Sequence, residues 1–90
     1  MTEFVDANNR SACVVELEQH VRIWLAKNQQ YSTFNQCASS PEGEIVVEVL
    51  IAGFDLVAIL RYVDGKWQLK TKYGWEHATI RQIGKQIDES

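Results

Sequence analysis

The stretch "LVAILRYVDGKWQLKT" (residues 56–71) restricts the fold more than any other part of the chain. Asp64-Gly65 separates two runs in which large apolar residues recur at every second position. A two-residue hairpin turn of type I′ needs positive φ at both central residues, and Asp-Gly meets that need at low cost. The turn therefore fixes a register: Val63 opposite Lys66, Tyr62 opposite Trp67, Leu60 opposite Leu69 and Ala58 opposite Thr71. One face of this hairpin carries Leu56, Ala58, Leu60, Tyr62, Trp67, Leu69, Thr71 and Tyr73. It is the natural core side.

The preceding run "EIVVEVLIAG" alternates in the same way, with Ile45, Val47, Val49 and Ile51 on one face. A two-residue turn at Ala52-Gly53 or Gly53-Phe54 puts that face beside Leu56, Ala58 and Leu60. Two hairpins that agree on one apolar face imply a three-stranded antiparallel meander.

Helical periodicity lies on either side. Val14, Leu17, Val21, Trp24, Leu25 and Asn28 form one stripe in residues 10–30, with Asn8 or Asn9 placed to cap it. The segment with Phe4 and Val5 either extends this helix or staples its start. "NQQYSTFNQCASSPEGE" is rich in turn formers and reads as a helix end followed by a loop. Ile80, Ile83 and Ile87 form a second, shorter stripe, with Gly84 beside it, and Glu76-His77 reads as its start. The expected fold is α+β, one domain over residues 1–90 in the order αβββα. An N-terminal helix packs on a three-stranded meander, with a short C-terminal helix.

The other sheet face carries the functional expectation. Val46, Leu50, Val57 and Ile59 make its centre apolar, Glu44 and Glu48 make one side acidic, and Arg61, Lys66, Lys70 and Lys72 make the other basic. A solvated face rarely gathers four such aliphatics. Either the C-terminal helix covers it, or both helices lie on one side and a second subunit meets it. The expected function is a non-catalytic protein–protein interaction or self-association module. A homodimer would use Val46, Glu48, Leu50, Val57, Ile59, Arg61 and Lys70 as its interface, because acidic and basic edges suit a two-fold contact.

Two alternatives come from "KWQLKTKYGWEH" (residues 66–77). A small-ligand site or small enzyme would use an aromatic pocket formed by Trp24, Tyr31, Trp67, Tyr73, Trp75 and His77. Glu76-His77 is the best acid/base pair in the chain. Nucleic acid could lie along the Lys66, Lys70 and Lys72 strand. Against that stand the net charge of −3 and the core-side placement of Trp67 and Tyr73, which removes a stacking platform. The lysines then read as guards of an edge strand.

Residues 1–60 carry three basic and eight acidic side chains, whereas residues 61–90 carry six and four. No phosphate-binding glycine loop or zinc spacing is present in the sequence, so no cofactor or metal is expected. Cys13 and His20 lie seven residues apart, roughly 10.5 Å along a helix, too far for a thiol–base pair. Cys13 and Cys37 are expected to be free thiols in a cytoplasmic protein, with a Cys13–Cys37 disulfide as the alternative. The acidic N-terminus does not resemble a signal peptide, and "IVVEVLIAGFDLVAIL" is too short and too charged for a membrane span.

Overall fold

The computed structural model describes Val5 and residues 9–25, 32–37, 44–53 and 55–89. The chain is α+β, and its described residues form two helices and one five-stranded antiparallel sheet. Helix α1 spans Ala12–His20 and continues through a π-helical turn, Val21–Leu25. Strands β1 (Ser32–Gln36), β2 (Ile45–Ile51), β3 (Asp55–Val63), β4 (Lys66–Thr71) and β5 (Gly74–His77) follow. Helix α2 (Ile80–Asp88) closes the order. The strands lie side by side in sequence order, so the expected three-stranded meander is corrected to five.

The Asp64-Gly65 turn forms as its chemistry dictates, with φ of 52° and 76°. It sets Val63↔Lys66, Tyr62↔Trp67 and Leu60↔Leu69. The rings of Tyr62 and Trp67 meet with centroids 5.0 Å apart. The expected Ala58–Thr71 pair is not made, because the β3–β4 ladder ends at Leu60↔Leu69. On its other edge β4 pairs with β5, from Gln68↔His77 to Thr71↔Gly74. The added strand depends on Thr71 and Gly74. The Thr71 hydroxyl accepts from the Tyr73 N–H at 3.1 Å and donates to the Gly74 carbonyl at 3.1 Å. Gly74 takes φ +108°, where a side chain would be strained. Glu76-His77 thus belongs to β5 and does not start the last helix.

Helix α2 begins three residues later through a reciprocal capping box. The Gln82 N–H donates to the Thr79 hydroxyl at 3.2 Å, and the Thr79 N–H donates to Gln82 Oε1 at 2.8 Å. Thr79→Ala is expected to cost about 1 kcal/mol, read as a lower urea midpoint with an unchanged slope.

Between β2 and β3 the register holds from Ile45↔Tyr62 to Val49↔Ala58 and then shifts by one. Leu50 pairs with Leu56 and Ile51 with Asp55, leaving Val57 as a bulge. The connection is the three-residue segment 52–54, not the expected two-residue turn, and the bulge absorbs the extra residue. Ala52 and Gly53 take positive φ.

β1 lies in the stretch that its polar composition marks as loop. It alternates nevertheless: Ser32, Phe34 and Gln36 are buried while Thr33 is exposed. The buried polar groups are partnered. Gln36 Oε1 accepts from the Ser11 N–H at 2.8 Å, and Gln36 Nε2 donates to the Ser11 hydroxyl at 3.0 Å. This clasp acts where a side-chain cap would. Ser11 is the N-cap of α1, not the expected Asn8 or Asn9, and its own side chain caps no helix N–H. Phe4 and Asn8 lie outside the described residues, while the Val5 N–H bonds the Gln36 carbonyl at 2.8 Å. α1 starts at Ala12, two residues later than expected, and the expected continuation over residues 26–30, Asn28 included, lies outside the described residues. Arg22 Nη2 donates to the Ser32 carbonyl at 2.7 Å, and Arg10 Nη1 to the Phe34 carbonyl at 3.4 Å. Glu18 joins the two arginines, at 2.5 Å from Arg10 and 3.0 Å from Arg22. The outer edge of β1 is therefore engaged by Val5 and by the arginines on either side of α1.

One core results. Val14, Leu17 and Val21, together with Ile83 and Ile87 of α2, bury completely against Val47, Val49, Leu60, Phe34 and Trp67. Gly84 is buried on the same side of α2. Both helical stripes thus address one face of the sheet. Burying a single Leu, Ile or Phe side chain contributes about 1.5–3 kcal/mol, so this face carries the stability of the fold.

Candidate functional site

With both helices on one face, no element among the described residues covers the other. Its side chains follow from the ladder, since alternate residues share a face. One cross-strand row is Val46, Arg61, Gln68 and His77. The next is Asn35, Glu48, Ile59, Lys70 and Trp75, where Lys70 is one step beyond the last β3–β4 pair and level with Ile59. A third contains Thr33, Leu50 and Leu56. Val46, Leu50, Ile59 and Trp75 are partly exposed, and Leu56 is 50% exposed.

The bulge redistributes two aliphatics. Val57, placed on this face by strict alternation, packs against the core cluster. Leu56, placed on the core side by the same rule, stands opposite Leu50 on the open face. An extra residue in one strand reverses the alternation beyond it. Four aliphatics still stand on this face, with one member changed, and Trp75 joins them.

Arg61 organises the basic half. Its Nη1 lies 3.0 Å from Glu44 Oε1, its Nε donates to Gln68 Oε1, and its guanidinium sits 4.5 Å from the centre of the Trp75 ring. The planar fork can hold a carboxylate, an amide and an aromatic ring together, which a lysine ammonium could not do. Residues adjoining β2, β3, β4 and β5 are thereby fastened across the open face. Glu44 and Arg61 are each 27% exposed in their side chains, so the pair is partly screened by water and contributes shape more than stability.

The aromatic residues proposed as a pocket do not converge. Trp67 is buried on the core side, Tyr73 is 80% exposed in the β4–β5 turn, and Trp75 lies on the open face. His77 is exposed. The side chain of Trp24 and the whole of Tyr31 lie outside the described residues. Among the described members of that set, Trp67 and His77 share a depression, about 310 Å³, with Lys66, Ala78, Thr79 and Gln82. A larger hollow of about 440 Å³ sits at the Asp64-Gly65 end between Glu44, Arg61 and Tyr62. Among its described lining residues Arg61 is the one cation, and it is already engaged by Glu44 and Gln68.

Lys66, Lys70 and Lys72 are exposed, and Lys72 lies over the Tyr73 ring at 5.1 Å. They do not guard an edge, because β4 runs between β3 and β5.

Cys13 and His20 are not coupled. His20 Nδ1 donates to the Glu16 backbone carbonyl at 2.9 Å, which ties it to its own helix. Cys13 and Cys37 are free and partly buried. Burial raises both thiol pKa values, with a further push from Glu16 on Cys13 and from Glu48 on Cys37. Raised thiols hold less thiolate at neutral pH, so iodoacetamide is expected to react more slowly with the folded protein than with free cysteine. The rate should rise with pH and level off only above the ordinary thiol range. Mass spectrometry of a pH series measures this, and fast labelling of either residue at pH 7 contradicts it. Among the described residues, no three His, Cys, Asp or Glu side chains gather as a metal site, and no helix is long and apolar enough to cross a membrane.

Compared with protein-family models, characterised proteins and solved structures, the chain matches none, and the reading of this face rests on its own geometry.

Proposed function

We propose that the protein is a non-catalytic self-association module whose open sheet face docks on a second copy. One observation supports this above the rest: both helices pack on the same side, leaving Val46, Leu50, Leu56, Ile59 and Trp75 together on a face that no described element covers. Pairing two such faces would remove this apolar patch from water, at about 25 cal/mol per Å². Small domains gain stability in this way, because a second copy supplies the layer that the chain lacks. A reducing, cytoplasmic setting fits the two unpaired thiols.

Nucleic acid remains a second reading because Trp75 shares the open face with Arg61, Lys66 and Lys70. Against it, Arg61 covers the Trp75 ring, and Glu44 and Glu48 occupy the same face, where a phosphate backbone would be repelled.

Light scattering over a concentration series tests the proposal. The expected mass rises toward twice 10.3 kDa and is unchanged by short DNA or RNA at low salt. A mass fixed at 10.3 kDa up to high micromolar concentration contradicts self-association. A salt-sensitive shift with oligonucleotide would favour the second reading.

A further inference from the structure

We infer that the two copies meet about a two-fold axis running along β3, with Glu48 of each copy facing Lys70 of the other; this rests on the self-association reading above. The inference comes from the order of charges in one row of the open face. Across the sheet that row reads Asn35, Glu48, Ile59, Lys70, Trp75. Two face-to-face sheets related by a two-fold have two simple choices of axis in the plane between them. An axis across the strands places each strand over its own copy. β2 then lies on β2 and β4 on β4, so the acidic strands meet each other and the basic strands meet each other.

An axis along β3 exchanges the two sides of the sheet and leaves heights along the strands unchanged. β2 then lies over β4 of the other copy, and β1 over β5. At the height of this row Ile59 meets Ile59, Glu48 meets Lys70, and Asn35 meets Trp75. In this row each charge finds its opposite and the apolar residue lies on the axis; in the neighbouring row Arg61 meets Arg61 of the other copy, each already paired with its own Glu44 at 3.0 Å. The twist of each sheet turns the strands by about 30° from strict alignment, less at the centre of the row than at its ends. Five strands about 4.8 Å apart give a face only about 24 Å wide, near the small end of specific interfaces. Like charges in apposition are strongly penalised, so in such a contact they decide the axis. Lys70 is exposed and Glu48 partly exposed, so both can serve a partner.

Complementary charge reversal tests the arrangement. Glu48→Lys and Lys70→Glu are made as separate variants, and circular dichroism checks that each is folded. Each alone is expected to dimerise at least about tenfold more weakly than the wild type. An equimolar mixture restores a dimer, because each copy then presents a wholly basic or a wholly acidic row to the other. A misfolded variant could not be rescued by mixing. Undiminished dimers of both single variants, or a mixture that stays monomeric, overturn this axis while leaving self-association standing. A monomeric wild type removes both.

Discussion

Ile59→Glu is expected to convert a dimer into a folded monomer. Ile59 sits at the centre of the open face, level with Glu48 on one side and Lys70 on the other. In the monomer the new carboxylate reaches water, and repulsion from Glu48 is offset by attraction to Lys70, each of these cross-strand terms being about 0.2–1 kcal/mol. In the dimer two such carboxylates would be forced together out of water. The cost is about 3 kcal/mol or more, or roughly 100-fold in Kd. Sedimentation should show the monomer mass with an unchanged circular dichroism spectrum. Unfolding by this substitution would mean that Ile59 belongs to a covered core.

Phe34→Ala is expected to have the opposite effect. Phe34 is 2% exposed and lies where α1 meets β1. Truncating a buried phenylalanine costs about 3–5 kcal/mol, because the neighbours only partly fill the space. A domain of this size has about 5–15 kcal/mol in total, so the melting temperature should fall by about 15–30 °C. Thermal unfolding at low concentration, where the monomer dominates, measures this. A shift of only a few degrees would place Phe34 outside the core and remove β1 from the sheet. The two substitutions together separate the two faces: one changes association and leaves the monomer's own stability nearly unchanged, the other lowers the monomer's stability without a direct effect on the interface.

Part of this architecture could be read from the residues because local chemistry and burial agree. Asp64-Gly65 permits one turn, and Leu60 and Leu69 meet where that turn sends them. Ile80, Ile83 and Ile87 keep helical spacing and bury as a stripe. β1 was hidden because two of its three inward residues, Ser32 and Gln36, are polar. Their burial is tolerable only through partners more than twenty residues away in the case of Gln36 and Ser11, or through the Arg22 guanidinium that holds the Ser32 carbonyl. β5 was hidden because "GWEH" is four residues long and its pairing depends on the Thr71 hydroxyl at the turn. The exchange of Leu56 for Val57 on the open face follows from a bulge that alternation alone does not reveal. Trp75 offered a usable signal. A two-residue turn after Thr71 would have placed it opposite Lys70, on the face that already carries Arg61.

Methyl NMR across a dilution series tests the account most directly. Methyl shifts of Val46, Leu50, Leu56 and Ile59 are expected to move with concentration along one binding curve. Those of Val14, Leu17, Ile83 and Ile87, sealed between helices and sheet, should stay fixed. Movement confined to the helix-side methyls, or no movement up to high micromolar concentration, would contradict docking through the open face.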